Sequence, residues 1–499
     1  MTSVHADPPI DPDEHDDAAP LAVRTAGDAA PEADGAGSAD ADGVWAPARR
    51  QLTTALVLTI TLVAFESLAI ATVMPVVADD LGGLGLYGWV FSGFFLGNLL
   101  GIVWAGQAAD RHGTRMPYAV GLVVFTAGLL VGGAAQSMGM LVAGRVAQGL
   151  GAGVIPAVAY ATVARAYPPR LRPRVFAVFS TAWVVPGLVG PAAASGIEHA
   201  TSWRLVFLAL LPFVLVAAVL ALPVLPDSAP VVPAARAGRD GGRRLRDAAV
   251  LVGAVALVFG GLKAGAPAAV AALVGGGAVV AAWAFLRLVP HGTVRLAPGM
   301  PAAVAARGIL TFAFFGTDAY ISLAVTDGHG APTWVAGLAL TGATLTWTTG
   351  AWLQERLVRR HGPRWLVRRG MAVLAAGIVL TLVGLGDVPV WVIVAAWTIG
   401  GLGIGLSYAP ITVTVLGTAA PGEEGAASAS LQLTDVLGVA VGTGVVGAFV
   451  ALGDGRGWAT TSSLTIAFVV TLLVAAGGVL AAVRLPRRLP GVDEDGAGA

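Results

Sequence analysis

From residue 51 onward the chain alternates long apolar runs with short polar breaks. Each run is long enough, or nearly so, to cross about 30 Å of hydrocarbon as a helix. The pattern predicts fourteen spans, near residues 52–79, 87–108, 117–135, 138–162, 175–196, 203–223, 248–262, 268–287, 302–325, 333–353, 370–386, 389–415, 426–451 and 461–483. The seventh, AVLVGAVALVFGGLK, is short; without it and the eighth, twelve remain. Ahead of the runs, residues 1–48 hold eleven acids between Asp7 and Asp42 and almost no large apolar side chain before Trp45. That stretch reads as a disordered acidic tail, retained on the mature chain because it lacks the basic start and apolar middle of a secretory signal.

The polar breaks are not equivalent. With the N-terminus placed inside, 25 of the 30 basic residues fall in the tails or in alternate, inner breaks. Only Arg204, Lys263 and Arg456 lie in outer breaks, while Arg145 and Arg307 lie within spans. Cationic residues favour the cytoplasmic side, so both termini are expected there, in a cell membrane. An odd helix count before any break would destroy this alternation.

Composition then removes whole classes of function. Hydrophobic residues make up 56% of the 499 and charged residues 12%, against about 25% charged in soluble domains. The chain has no cysteine, which excludes disulfides, thiolate chemistry and cysteine-based metal sites. Its one lysine, Lys263 in GGLKAGAP, lacks the glycine context of a phosphate-binding loop, so a self-contained ATPase is excluded. The longest break, about 224–247, is a Pro/Ala/Arg-rich linker with no room for a catalytic domain. A membrane-embedded lipid-modifying enzyme is therefore a remote alternative.

Two inner turns echo one another. GQAADRHGTR (106–115) follows the second span and LVRRHGPR (357–364) follows the tenth; both place His-Gly-x-Arg after the second helix of a six-helix block. The domain reading is thus a tail (1–48), a six-helix bundle (49–225), a linker (226–247), two additional helices (248–290), a second bundle (300–485) and a C-terminal tail (486–499).

The first of these turns, through Gly106, Asp110, Arg111, Gly113 and Arg115, resembles the loop motif of the major facilitator superfamily. GRVAQGLGAG (144–153), with Arg145, Gln148 and Gly149, resembles that family's fourth-helix motif. WVVPGLVGPAAASG (183–196), through Pro186, Gly187, Gly190, Pro191 and Gly196, resembles the fifth-helix motif of its antiporter branches. It departs from the usual pattern at Pro186 and at Ala194-Ser195. The fourteen-span form resembles the drug:proton antiporter group. The resemblance implies an all-α membrane protein of two six-helix bundles, working by alternating access. It also implies that Asp110, Arg111 and Arg115 form a charge cluster holding one face shut, and that the span-5 glycines and prolines seal helix contacts. The plainer readings are the positive-inside rule for the arginines and ordinary helix packing for the glycines.

The ionisable residues at depth carry the candidate chemistry. Charge inside a membrane is costly and marks pathways or proton relays. At about 1.5 Å per residue, Glu66 lies roughly 21 Å from the inner end of its span, Asp435 roughly 13 Å and Asp318 roughly 24 Å. Arg145 could partner one of these acids. Arg307 is close enough to the inner surface to snorkel and is set aside. Spans 1 and 9 open the two bundles, so Glu66 and Asp318 are expected as pseudo-symmetric cavity acids; a static pair or hydrogen bond is the plainer reading for each acid. None of the seven histidines lies at depth, so a relay must use carboxylates. Trp183, Trp334, Trp347 and Trp352 could border the cavity, although packing or interface anchoring is the commoner use. The expectation is a proton-coupled exporter of hydrophobic or cationic small molecules, with a nutrient symporter or a dedicated-product exporter as alternatives. No cofactor, metal, catalytic residue or nucleic acid is expected; the partners are substrate, protons and the bilayer, and the chain is expected to be a monomer.

Overall fold

The computed structural model describes residues 43–167, 171, 175, 178, 179, 182, 184–225, 234–262, 266–418 and 424–488. Residues 1–43 form a unit of their own, of which only Gly43 is described. The acidic tail therefore falls outside the described residues as far as position 42, and the C-terminal tail does so from 489. Among the described residues there is no strand.

The first bundle contains α1 (Pro47–Leu81), α2 (Tyr87–His112), α3 (Arg115–Gly133), α4 (Met138–Ala166) and α5 (Val184–Ala200). Its sixth run is split into α6 (Trp203–Leu208) and α7 (Leu211–Ala221). Between the bundles lie α8 (Ala234–Gly261) and α9 (Pro267–Leu288). The second bundle opens with α10 (Met300–Asp318) and α11 (Ile321–His329), the two parts of the ninth run. It continues through α12 (Thr333–Gly384), α13 (Trp391–Gly417), α14 (Glu424–Asp454) and α15 (Thr460–Ala481). Among the described residues, eleven helices are long and apolar enough to cross a membrane. The predicted runs near 248–262 and 333–353 are helical but outside that set, as is α5, the 17-residue helix in the described part of the run near 175–196.

Three boundaries differ from those the pattern predicts. Helix α1 begins at Pro47, a residue suited to the first turn because its missing N–H would lack a partner there. Val44 and Ala46 are buried against it, and Thr53 Oγ1 donates to the Val44 carbonyl at 2.6 Å. Helix α8 begins at 234, inside the stretch read as linker. Asp247, buried on that helix, accepts from Arg287 Nε of α9 at 3.1 Å and from Arg246 at 3.4 Å. Helix α12 runs through two predicted spans and turns at Gly362.

That turn gives the sequence echo a physical basis. Gly113 has φ 75° and ψ −173°, and Gly362 has φ 75° and ψ 166°. Both lie where a side chain is strained and glycine is not. The end of the molecule carrying these turns is the basic end; the loops at 82–86 and 455–459 mark the opposite end.

Small residues bring the helices together, as expected where lipid removes the hydrophobic drive for association. Gly97 and Gly101 of α2 face Gly149 and Gly153 of α4, backbone against backbone. Gly438 and Gly442 of α14 meet Gly308 and Phe312 of α10 in the same way. The bundles join along α2 against α14 and along α5 against α12. Helix α8 rests on the first seam, where Phe259 stands edge-on to Trp89 at 6.0 Å and against Gly444.

Candidate functional site

Two charge pairs, one in each bundle, the first wholly buried and the second partly exposed at its acid, hold most of the ionisable groups at depth. In the first bundle Glu66 of α1 is wholly buried. Arg145 of α4 donates through Nη1 to Glu66 Oε1 and to Gln148 Oε1, the latter at 2.7 Å. Its Nε donates to the Val90 carbonyl at 3.2 Å, and its guanidinium lies 4.2 Å over the Phe94 ring. Glu66 Oε2 makes no hydrogen bond of normal geometry among the described residues, although the Ser67 side chain lies near enough to the carboxylate to interact with it. Burial of this kind is costly unless the charges are paired and their remaining valences satisfied, so this oxygen is the notable atom. It is an unsatisfied hydrogen-bond acceptor inside a buried helix contact.

In the second bundle the pair is built differently. Arg307 of α10 is 1% exposed, which overturns the reading that it snorkels to the surface. Its Nη2 donates to the Tyr408 carbonyl at 2.8 Å and to Thr412 Oγ1, both on α13. The guanidinium lies 3.4 Å over the Tyr408 ring. Asp435 of α14 faces it, with Oδ1 3.8 Å from Arg307 Nε, while Oδ2 accepts from the Tyr408 hydroxyl at 3.0 Å. A quarter or so of Asp435 remains exposed, at 23%. Tyr160 of α4 is near enough to Asp435 to interact with it electrostatically across the two bundles.

Asp318 has neither arrangement. It ends α10 at the break before α11, partly exposed, and Oδ1 accepts from Trp397 Nε1 of α13 at 2.7 Å. No basic side chain pairs with it among the described residues. The expected symmetry with Glu66 therefore stops at helix position: one acid is sealed and cation-paired, the other is held by an indole.

Aromatic rings connect these groups. Trp397 stacks on Phe314 at 5.0 Å, and Trp347 meets Phe314 at 5.5 Å, Phe315 at 6.1 Å and Tyr408 at 5.6 Å. Phe315 reaches Phe95 of α2 at 6.4 Å, and Phe95 meets Phe94 at 5.2 Å. A chain of rings thus runs from beneath Arg145 to beneath Arg307, passing between the bundles at Phe95 and Phe315. Of the tryptophans singled out from the sequence, Trp347 belongs to this chain. Trp334 and Trp352 are 52% and 68% exposed on the periphery, and Trp183 lies outside the described residues.

The motif residues divide. In the loop motif Gly113 makes the turn, Arg111 and Arg115 are exposed, and Gly106 has open space where a side chain would stand. Asp110 is helical, but its side chain is not among those described, so the expected charge cluster falls outside the description. In α5, Pro186, Gly187, Gly190 and Pro191 are buried. Gly187 lies against Thr344 of α12, and Pro191 packs on Gly337 of the same helix, so this motif sits on the seam between bundles. Gly190 has ordinary room beside Leu68, and Gly196 is exposed with open space around it.

At the opposite end the α2–α14 seam is shut. Gly88 touches Gly447 so closely that a Cβ on Gly88 would stand 2.6 Å from the Gly447 Cα. Tyr87 meets Tyr320 at 5.1 Å, Tyr320 donates its hydroxyl to the Thr443 carbonyl at 2.9 Å, and Ser92 lies 3.3 Å from Thr443 Oγ1. Beside this contact Trp89, Phe259, Leu262 and Gly444 border a cavity of about 470 Å³.

Sequence reasoning set Arg307 aside and missed Tyr408, Thr412 and Trp397. An intramembrane arginine present in the same bundle as an unpaired acid was the available signal for Arg307.

Comparison with known proteins agrees with this architecture. Residues 56–353 match the model of the Major Facilitator Superfamily. A probable multidrug-efflux transporter of Mycobacterium tuberculosis is 29% identical over 475 residues, covering 88% of this chain and 96% of that protein. A probable actinorhodin transporter of Streptomyces coelicolor is 30% identical, covering 75% of this chain and 67% of that protein. Among solved structures, a D-xylose-proton symporter superposes with a TM-score of 0.61 at 16% identity, over 88% of this chain and 98% of that one. A peptide transporter bound to alafosfalin gives 0.62 at 16% identity, over 87% and 94%. The last two likenesses concern the fold alone.

Proposed function

Because the chain belongs to the major facilitator superfamily, whose fold and family are those of membrane transporters rather than enzymes, we propose that it is a proton-coupled exporter of hydrophobic or cationic small molecules. It works by alternating access, with fourteen spans, two of them (α8 and α9) inserted between the bundles, and both termini in the cytoplasm. The observation that carries this reading is Glu66: a wholly buried carboxylate, paired with Arg145 through one oxygen and without a normal hydrogen bond at the other. A purely structural pair is better built with both oxygens satisfied, or replaced by apolar packing at little cost. An oxygen left unsatisfied inside the membrane suits a group that gains and loses a proton. The names of two relatives described above, a probable multidrug-efflux transporter and a probable actinorhodin transporter, support export of small molecules and leave its breadth to measurement.

The test uses purified protein in proteoliposomes under an imposed pH gradient, with ethidium as the probe. Wild type is expected to move ethidium and protons in opposite directions, and Glu66→Gln to lower that exchange at least tenfold while remaining folded. Gradient-driven uptake of a nutrient with no ethidium movement would replace the exporter by a symporter. Exchange that survives Glu66→Gln intact would remove Glu66 from the proton path.

A further inference from the structure

The Arg307–Asp435 pair stands open, and its geometry assigns it a role of its own. Arg307 has five N–H donors, yet only Nη2 is bonded; Nε and Nη1 have no partner among the described residues. Asp435 Oδ1 has none either, although it is the nearest acceptor, because 3.8 Å exceeds a hydrogen bond. The backbones on either side are fixed. Thr311 Oγ1 donates to the Asp435 carbonyl at 3.0 Å, and Gly308 lies against Thr434 and Gly438, so α10 and α14 cannot approach further. The guanidinium is fixed as well, stacked on Tyr408 and tied to α13 at two points. What remains free to move is the carboxyl group. In the position observed it is held off Arg307 by the Tyr408 hydroxyl on Oδ2. A rotation of about 1 Å at Oδ1 would close the gap to Nε.

We infer that Arg307 and Tyr408 are positioning residues for a second proton-binding group, Asp435, which turns between them. Held by Tyr408, the carboxyl keeps Oδ1 available, and a proton binds there to give the neutral acid beside a charged Arg307. When that O–H proton leaves to water, the carboxylate turns to Arg307 and the cluster becomes neutral as an ion pair. The groups facing Asp435 are Arg307 from α10, Tyr408 from α13 and Tyr160 from α4. The first bundle holds the contrasting arrangement, since Arg145 already contacts Glu66. This inference rests on the proton-coupled reading only for what the proton accomplishes, not for whether it binds.

The experiment therefore needs no substrate. Purified full-length protein is titrated with acid while the protonated-carboxyl stretch is followed by infrared difference spectroscopy; the Asp435 band is assigned by its loss in Asp435→Asn. In Arg307→Gln the titration midpoint is expected to rise by about one pH unit or more, a tenfold gain in proton affinity, because a neighbouring cation that favours the ionised form is gone. Arg307→Lys should restore most of the shift. Tyr408→Phe gives the sharper test. Loss of a hydrogen bond alone would raise the midpoint, whereas release of the carboxylate to Arg307 lowers it, and a lower midpoint is expected. A raised midpoint in Tyr408→Phe, an unchanged one in folded Arg307→Gln, or no band dependent on Asp435 would overturn the inference. Should Arg307→Gln not fold, Arg307→Lys and Tyr408→Phe still decide it. Failure of ethidium exchange with a normal Asp435 titration would count against the exporter reading and leave this one standing.

Discussion

Glu66 and Asp435 are both carboxylates within apolar helices, and each faces an arginine that lies over an aromatic ring. They differ in one contact. Arg145 is bonded to its acid, while Arg307 stops 3.8 Å short of Asp435 and spends its hydrogen bonds on α13. The closed pair makes a clear thermodynamic prediction. Arg145→Leu strands a buried carboxylate and should cost about 3–5 kcal/mol of unfolding free energy. Glu66→Leu made in the same chain should recover much of that loss, since replacing both partners of a buried pair can be nearly neutral. Additive losses in a double-mutant cycle would mean the two side chains do not act as a pair. The sequence made Glu66, Arg145, Asp318 and Asp435 visible because charge is rare in these helices. It hid the burial of Arg307, since seven residues from a helix start permit either snorkelling or burial, and only the neighbouring helix decides. It also hid Trp397, whose N–H holds Asp318 from a helix 79 residues away.

Helices rather than single residues set which parts of the molecule can separate. The His-Gly-x-Arg echo, weak as a four-letter match, marks two turns with the same glycine conformation, so the duplication was legible where backbone geometry constrains residue type. The start of α8 was not legible in this way. Its first three turns are rich in arginine and glycine and read as linker until α9 supplies Arg287 to Asp247. Contact between the bundles depends on glycine at Gly88 and Gly447. Gly88→Val would place its side chain against Gly447 and the Tyr320 hydroxyl. Overpacking of this sort costs about 1–3 kcal/mol, charged here to the closed seam, so the open form should gain about 5–150-fold in population. Spin labels on Leu86→Cys and Asp454→Cys would read this as a longer distance in the variant. An unchanged distance with normal folding would place the seal elsewhere.

At the scale of the whole bundle pair, every contact described between α2 and the second bundle at the opposite end is intimate: glycine on glycine, Tyr87 on Tyr320, Ser92 beside Thr443. Toward the basic end the meeting of α4 and α14 is looser, with Tyr160 37% exposed and Asp435 partly so. The described contacts are therefore closer at one end than at the other, an asymmetry the proposed alternating-access cycle requires of any one state. Because the chain has no cysteine, single introduced thiols report on this directly. Ser92→Cys, at a wholly buried position on the seam, should react slowly with a water-soluble maleimide, and Tyr160→Cys at least tenfold faster. If the bundles rock about the central rings, ethidium should change both rates and in opposite senses, since the two positions lie toward opposite ends of the same interface. Parallel changes would indicate general loosening rather than exchange of open ends. Rates that ignore ethidium while proton binding at Asp435 persists would separate the titrating machinery from the moving one.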